Sequence, residues 1–64
     1  MNRRADQVLG RQAVVVAFDH SDGRVTVDGI PWPVRLDTGM PVPQAGERVL
    51  VIGADGIVVR VRPV

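Results

Sequence analysis

Apolar residues in this chain fall in short runs with a period of two. Val25 and Val27 alternate with Arg24, Thr26 and Asp28, and Ile30, Trp32, Val34 and Leu36 alternate with Pro31, Pro33 and Arg35. Such alternation marks strands that bury one face. Valine is the commonest residue, and its branched side chain favours a pleated surface over a helix. Between the runs stand Asp22-Gly23, Asp28-Gly29 and Asp55-Gly56, and Asp-Gly is the strongest short-range hairpin signal. The pattern predicts an all-β chain with strands over residues 9–18, 24–28, 30–36, 47–53 and 57–62.

A two-residue loop at Asp28-Gly29 would pair Val27 with Ile30 and Val25 with Trp32. Val25, Val27, Ile30, Trp32, Val34 and Leu36 then share one face, and Arg24, Thr26, Asp28 and Arg35 face water. The residues flanking such a loop form a hydrogen-bonded pair, so Pro31 and Pro33 fall at the non-hydrogen-bonded sites. Their missing N–H groups deny the far side of that strand a full ladder, which predicts an edge or a seam there.

The last hairpin has two registers. A two-residue Asp55-Gly56 turn sets Leu50 and Ile52 beside Val59 and Val61. A three-residue Ala54-Asp55-Gly56 loop sets Val49 and Val51 there instead and gives Gly56 the left-handed position. Residues 37–46 contain Gly39, Pro41, Pro43 and Gly46, which predict an irregular crossing loop. Residues 1–7 are polar and are expected to fray.

Composition narrows the chemistry. Sixty-four residues make one domain, and a chain this short buries only about 60% of its unfolded surface. The absence of cysteine excludes disulfides, thiolate nucleophiles and Cys-based zinc sites. All eight basic residues are arginine, so Schiff bases and lysine-borne biotin or lipoyl groups are excluded as well. His20 is the single histidine, and no metal site or cofactor is expected. The net charge of +1 comes from arginines and acids scattered through the same segments. With Phe18 and Trp32 as the only aromatics, nothing suggests a nucleic-acid partner. The longest apolar run, Ala13 to Phe18, is far shorter than the roughly 20 residues of a membrane-spanning helix.

Four features carry candidate chemistry. Asp19-His20-Ser21-Asp22 has the residue types of a catalytic triad, but chain neighbours do not converge as triad members do, and a solvated turn is the simpler reading. His20 alone could serve as a pH-sensitive contact. Gly53-Ala54-Asp55-Gly56 follows a strand, yet it lacks the glycine spacing and the following helix of a phosphate cradle and reads as a turn. Trp32 reads as the principal core residue, with a ring at a barrel mouth as the other reading. Arg60 and Arg62 read either as solvated residues that block edge pairing or, with Arg48, Leu50, Ile52 and Val58, as a partner surface on one outer face. The expected core is Val25, Val27, Trp32, Val34, Val49, Val51, Val59 and Val61, and no catalytic residue is expected.

Gly10, Ala13, Val15, Ala17, Gly23, Val25, Val27, Gly29, Trp32 and Val34 resemble, in type and spacing, the first half of the NfeD-like domain. Gly46, Val49, Val51, Gly56, Val59, Val61 and the closing Arg62-Pro63 continue the resemblance over residues 10–64, leaving 1–9 as a flexible N-terminal segment. Asp19 and Ser21 depart from it, standing where the family often has leucine and proline. The resemblance implies a small five-stranded OB-fold-like barrel with Val49 and Val51 paired to Val59 and Val61. It also implies the soluble C-terminal domain of a membrane protein encoded beside stomatin-like or flotillin-like proteins. Longer relatives carry a serine protease domain before the barrel and shorter ones only transmembrane helices, so by this resemblance the chain looks like an excised domain or an unusually reduced member, membrane-associated through a missing N-terminal region. Arg3 and Arg4 would then follow the last span, where positive charge favours the cytoplasmic side.

The expected function is a non-catalytic protein-interaction module. Its partner would be a stomatin-like or flotillin-like membrane protein or a membrane protease, whose activity it would regulate, with self-association a further possibility. The alternative is an OB-type domain binding nucleic acid or oligosaccharide, which the fold permits.

Overall fold

The computed structural model describes residues 4–36 and 39–64. Five strands, β1 (Gln12–Asp19), β2 (Asp22–Val27), β3 (Ile30–Arg35), β4 (Arg48–Asp55) and β5 (Val58–Pro63), close into a barrel in the order β1-β2-β3-β5-β4. All neighbours are antiparallel except β3 and β5, which run parallel. This is the OB-type arrangement, and each strand lies within three residues of its expected limits.

Alternation fills the interior. The thirteen buried apolar residues include nine valines, and all eight expected core residues are among them. Trp32, only 4% exposed, is the one large aromatic side chain that is fully inside, while Phe18, Met40 and Ala54 pack against the cluster from its margins. No polar or charged side chain is buried among the described residues, so every charge is available to solvent or to a partner.

The β2–β3 hairpin follows its sequence. Asp28 (φ 52°) and Gly29 (φ 81°) form the two-residue turn with both central residues left-handed, pairing Val27 with Ile30, Val25 with Trp32, and the two prolines with Thr26 and Arg24. Ile30 is the exception on its face. Next to the turn, at the end of the barrel, it is 46% exposed where burial is expected. On the other side of β3, the ladder to β5 consists of Val34 with Val59 and Arg35 with Arg60. No pair to β5 involves residues 30–33, as the prolines predict, but Val34 does pair and the barrel is closed, where an edge or an incompletely closed seam is expected.

Three local features depart from the sequence reading. The β1–β2 turn falls at His20-Ser21, inside the Asp19–Asp22 turn expected, but Asp22-Gly23 is not the turn pair. His20 adopts φ 60° and lets Asp19 pair with Asp22 and Phe18 with Gly23, so β2 begins at Asp22 and not at residue 24. The β4–β5 turn is Gly56-Ile57, one residue later than either expected register. Gly56 does take the left-handed conformation, at φ 63°. Val51 faces Val61, and a bulge at Ile52 then shifts the pairing so that Gly53 meets Arg60 and Ala54 meets Val59. That bulge keeps Val49, Val51, Val59 and Val61 all inside although the turn is displaced.

The third departure is the N-terminal segment. Ala5–Val8 forms a 3-10 turn against β4 and β5 instead of fraying, with Ala5 and Val8 buried. The Ala5 N–H donates to the Gly56 carbonyl (2.9 Å), and the Gly10 N–H donates to that of Val51 (2.9 Å). Two small apolar side chains in an otherwise polar stretch therefore close one end of the core. Residues 39–46 carry neither helix nor strand, as their glycines and prolines suggest. Asp37, Thr38 and the juxtamembrane candidate Arg3 lie outside the described residues.

Candidate partner-binding surface

The outward positions of β4 are Arg48, Leu50, Ile52 and, past the bulge, Gly53 and Asp55, and those of β5 are Val58, Arg60 and Arg62. Leu50 pairs with Arg62 across the hairpin. Leu50 and Val58 are half-buried, Ile52 is 43% exposed, and the three arginines are exposed. All six residues singled out in the sequence therefore stand on one outer wall.

That wall continues onto β1, which the sequence reading missed. Val14 pairs with Arg48 and Gln12 with Leu50, so the exposed Val14 stands diagonal to Leu50, while the exposed Val16 lies further along β1, past Arg48 and away from Ile52. The signal was present in the run Ala13–Phe18: Ala13 and Val15 point inward, which leaves Val14 and Val16 outward. Pairing between strands so distant in the chain is what joins Val14 to the wall, and alternation alone does not reveal it.

Charges are not distributed evenly. Arg4 lies 3.6 Å from Asp6, Arg35 lies 3.3 Å from Asp22, and Arg11 contacts Asp28. Arg24, Arg48, Arg60 and Arg62 form no ion pair among the described residues, and three of those four belong to the β4–β5 wall.

Arg60 has a specific seat. A methyl group on Gly53 would lie 2.5 Å from Nη2, 2.7 Å from Nε and 2.8 Å from Cζ of Arg60, so the guanidinium rests flat over the bare backbone of its cross-strand partner. This covering explains why Gly53 is buried on an otherwise outward position.

The remaining candidates do not converge on a site. Asp19 and His20 are almost fully exposed at their turn, with His20 Nε2 and Asp19 Oδ1 3.6 Å apart. A shallow groove of about 280 Å³ lies between Val16 and Arg24, floored by Phe18 and Gly23. Gly53 to Gly56 is strand and turn with no helix after it, and Trp32 sits inside and not at a mouth. Among the described residues, no three His, Asp or Glu side chains are grouped so as to hold a metal ion, and no helix is long and apolar enough to cross a membrane.

Comparison with known proteins points the same way. Residues 5–63 match the family model of the NfeD-like C-terminal, partner-binding domain, a match that takes in the N-terminal turn as well as the barrel. Among solved structures, the chain is similar to the C-terminal domain of stomatin operon partner protein 1510-C from Pyrococcus horikoshii. The two are 26% identical, with a TM-score of 0.77, over 89% of this chain and 88% of that one. No curated protein matches the chain.

Proposed function

Since this chain belongs to the NfeD family, we propose that it is a non-catalytic partner-binding domain that offers the outer wall of β4 and β5 to a stomatin-like membrane protein. The observation that carries this reading is the wall itself. Leu50, Ile52 and Val58, with Val14 at the β1 border, are aliphatic residues interspersed with arginines that form no ion pair among the described residues, on a domain whose buried core does not include them. Its solved relative is named a stomatin operon partner, and that similarity supports a stomatin-like occupant. Regulation of a membrane protease, attachment to a membrane and a cytoplasmic position belong to the same reading.

An OB-type nucleic-acid site has less to support it. Such sites stack bases on exposed aromatic rings, whereas Trp32 is inside the barrel and Phe18 packs on the core margin.

The test is capture of the stomatin-like protein encoded in the same genome on the immobilised chain. Arg60→Glu together with Arg62→Glu should lower capture by about tenfold or more while the thermal unfolding midpoint barely moves, because exposed charges steer association more than they hold the fold. Equal capture by the double variant would place the contact elsewhere on the barrel.

A further inference from the structure

We propose that the segment received by the β4–β5 wall is acidic, with carboxylates two residues apart beside an aliphatic side chain, and that Arg60, seated on Gly53, is the anchor for one of those carboxylates. This inference rests on the partner-binding reading and specifies the chemistry of the occupant.

The charge distribution carries the first part. Arg35, the neighbour of Arg60 across the β3–β5 ladder, is already held by Asp22, and Arg4 and Arg11 are held by Asp6 and Asp28. Arg48, Arg60 and Arg62 have no such counter-charge among the described residues. With Asp55, opposite Val58, as the carboxylate among the outward positions of the hairpin, the wall keeps a net positive charge, which favours carboxylates from outside. The chain uses arginine at every basic position, and its planar fork suits a carboxylate better than a lysine ammonium would.

Geometry carries the second part. Arg60 and Arg62 are alternate residues of β5, about 6.6 Å apart along the strand, which is the spacing of alternate side chains in an extended acidic segment. Val58 and Leu50 lie beside them on the same wall. The guanidinium of Arg60 lies over the bare Gly53 backbone, a position that a side chain at residue 53 would deny it.

Other occupants fit less well. A second copy meeting this wall face to face would bring three arginines and one aspartate against the same set, leaving most of the positive charge unmatched. An anionic bilayer would need a broad protruding apolar face, whereas the exposed Ile52 stands alone beside the half-sunk Leu50 and Val58.

The experiment uses the full chain and three probes: a labelled peptide containing Glu-Ser-Glu-Ser-Val, the same peptide with Gln for Glu, and vesicles of phosphatidylserine in phosphatidylcholine. The Glu peptide should raise fluorescence anisotropy, bind about tenfold more tightly than the Gln peptide, and weaken steeply as salt rises through the physiological range. Arg60→Gln should lose most of that preference. Gly53→Ala, which keeps every charge but takes away the seat, should lower affinity several-fold with the unfolding midpoint nearly unchanged. Equal binding of the two peptides, binding of vesicles but not the Glu peptide, or full affinity in Gly53→Ala would each overturn the proposal. If the stomatin-like protein is captured while the Glu peptide is ignored, the acidic-segment proposal fails and the partner-binding reading stands. If neither binds, both fail.

Discussion

The β1–β2 and β4–β5 hairpins solve the same construction problem in opposite ways. Each carries a bulge, at Val16 and at Ile52, and each has a glycine covered by the side chain paired with it, on the partner strand in β1–β2 and directly after the bulge in β4–β5. In β1–β2 the cover is the Phe18 ring, packed on the core margin, and a methyl group on Gly23 would also meet the Ala17 carbonyl oxygen at 2.5 Å. In β4–β5 the cover is the exposed Arg60 guanidinium, the far end of a flexible side chain. One glycine lets the barrel close, and the other lets it present a charge. The first should therefore matter to folding and the second to binding.

The largest effect expected is common to both hairpins. Trp32, on β3 between β2 and β5, is the only large aromatic in the core, so Trp32→Ala should cost about 3–5 kcal/mol, comparable with the whole stability of a domain this size. Far-UV circular dichroism should then show loss of the entire sheet. Survival of one hairpin alone would show that the two are not a single cooperative unit.

Gly23→Ala should come next, at about 1–3 kcal/mol, because a backbone carbonyl and a packed ring cannot both give way. Urea unfolding of Gly23→Ala beside Gly53→Ala sharpens the contrast. The second should stay within about 1 kcal/mol of the parent, since an exposed arginine can swing aside. Equal costs would erase the distinction drawn between the hairpins. Smallest in stability should be Arg60→Glu with Arg62→Glu, at about 0–1 kcal/mol, for the reason that exposed charges contribute little to folding.

Alternation and turn chemistry were enough to read much of this barrel. Asp28-Gly29 and the two prolines specify β2–β3 and the gap in its pairing to β5 because each local preference agrees with the others. Where the reading failed, local rules competed. Asp22-Gly23 is a strong turn signal, yet Phe18 needs a glycine opposite it, so Gly23 goes into the strand and His20 takes the left-handed turn position. The displaced Gly56-Ile57 turn stays compatible with four inward valines only through the bulge at Ile52, which alternation cannot show. Ala5 and Val8 escaped notice because two apolar residues among polar ones carry no period. The six wall residues were legible as outward positions, whereas the seat of Arg60 on Gly53 and the addition of Val14 required cross-strand neighbours.

The account turns on the claim that the β4–β5 wall binds the partner while the β1–β2 hairpin serves the core. The most direct test is a two-dimensional NMR titration of the labelled chain with the stomatin-like protein's soluble segment. Amide shifts should concentrate at Leu50, Ile52, Gly53, Val58, Arg60 and Arg62, with Phe18, Gly23 and Arg24 nearly still. Shifts centred on Phe18 to Arg24, with the β4–β5 wall unmoved, would contradict it.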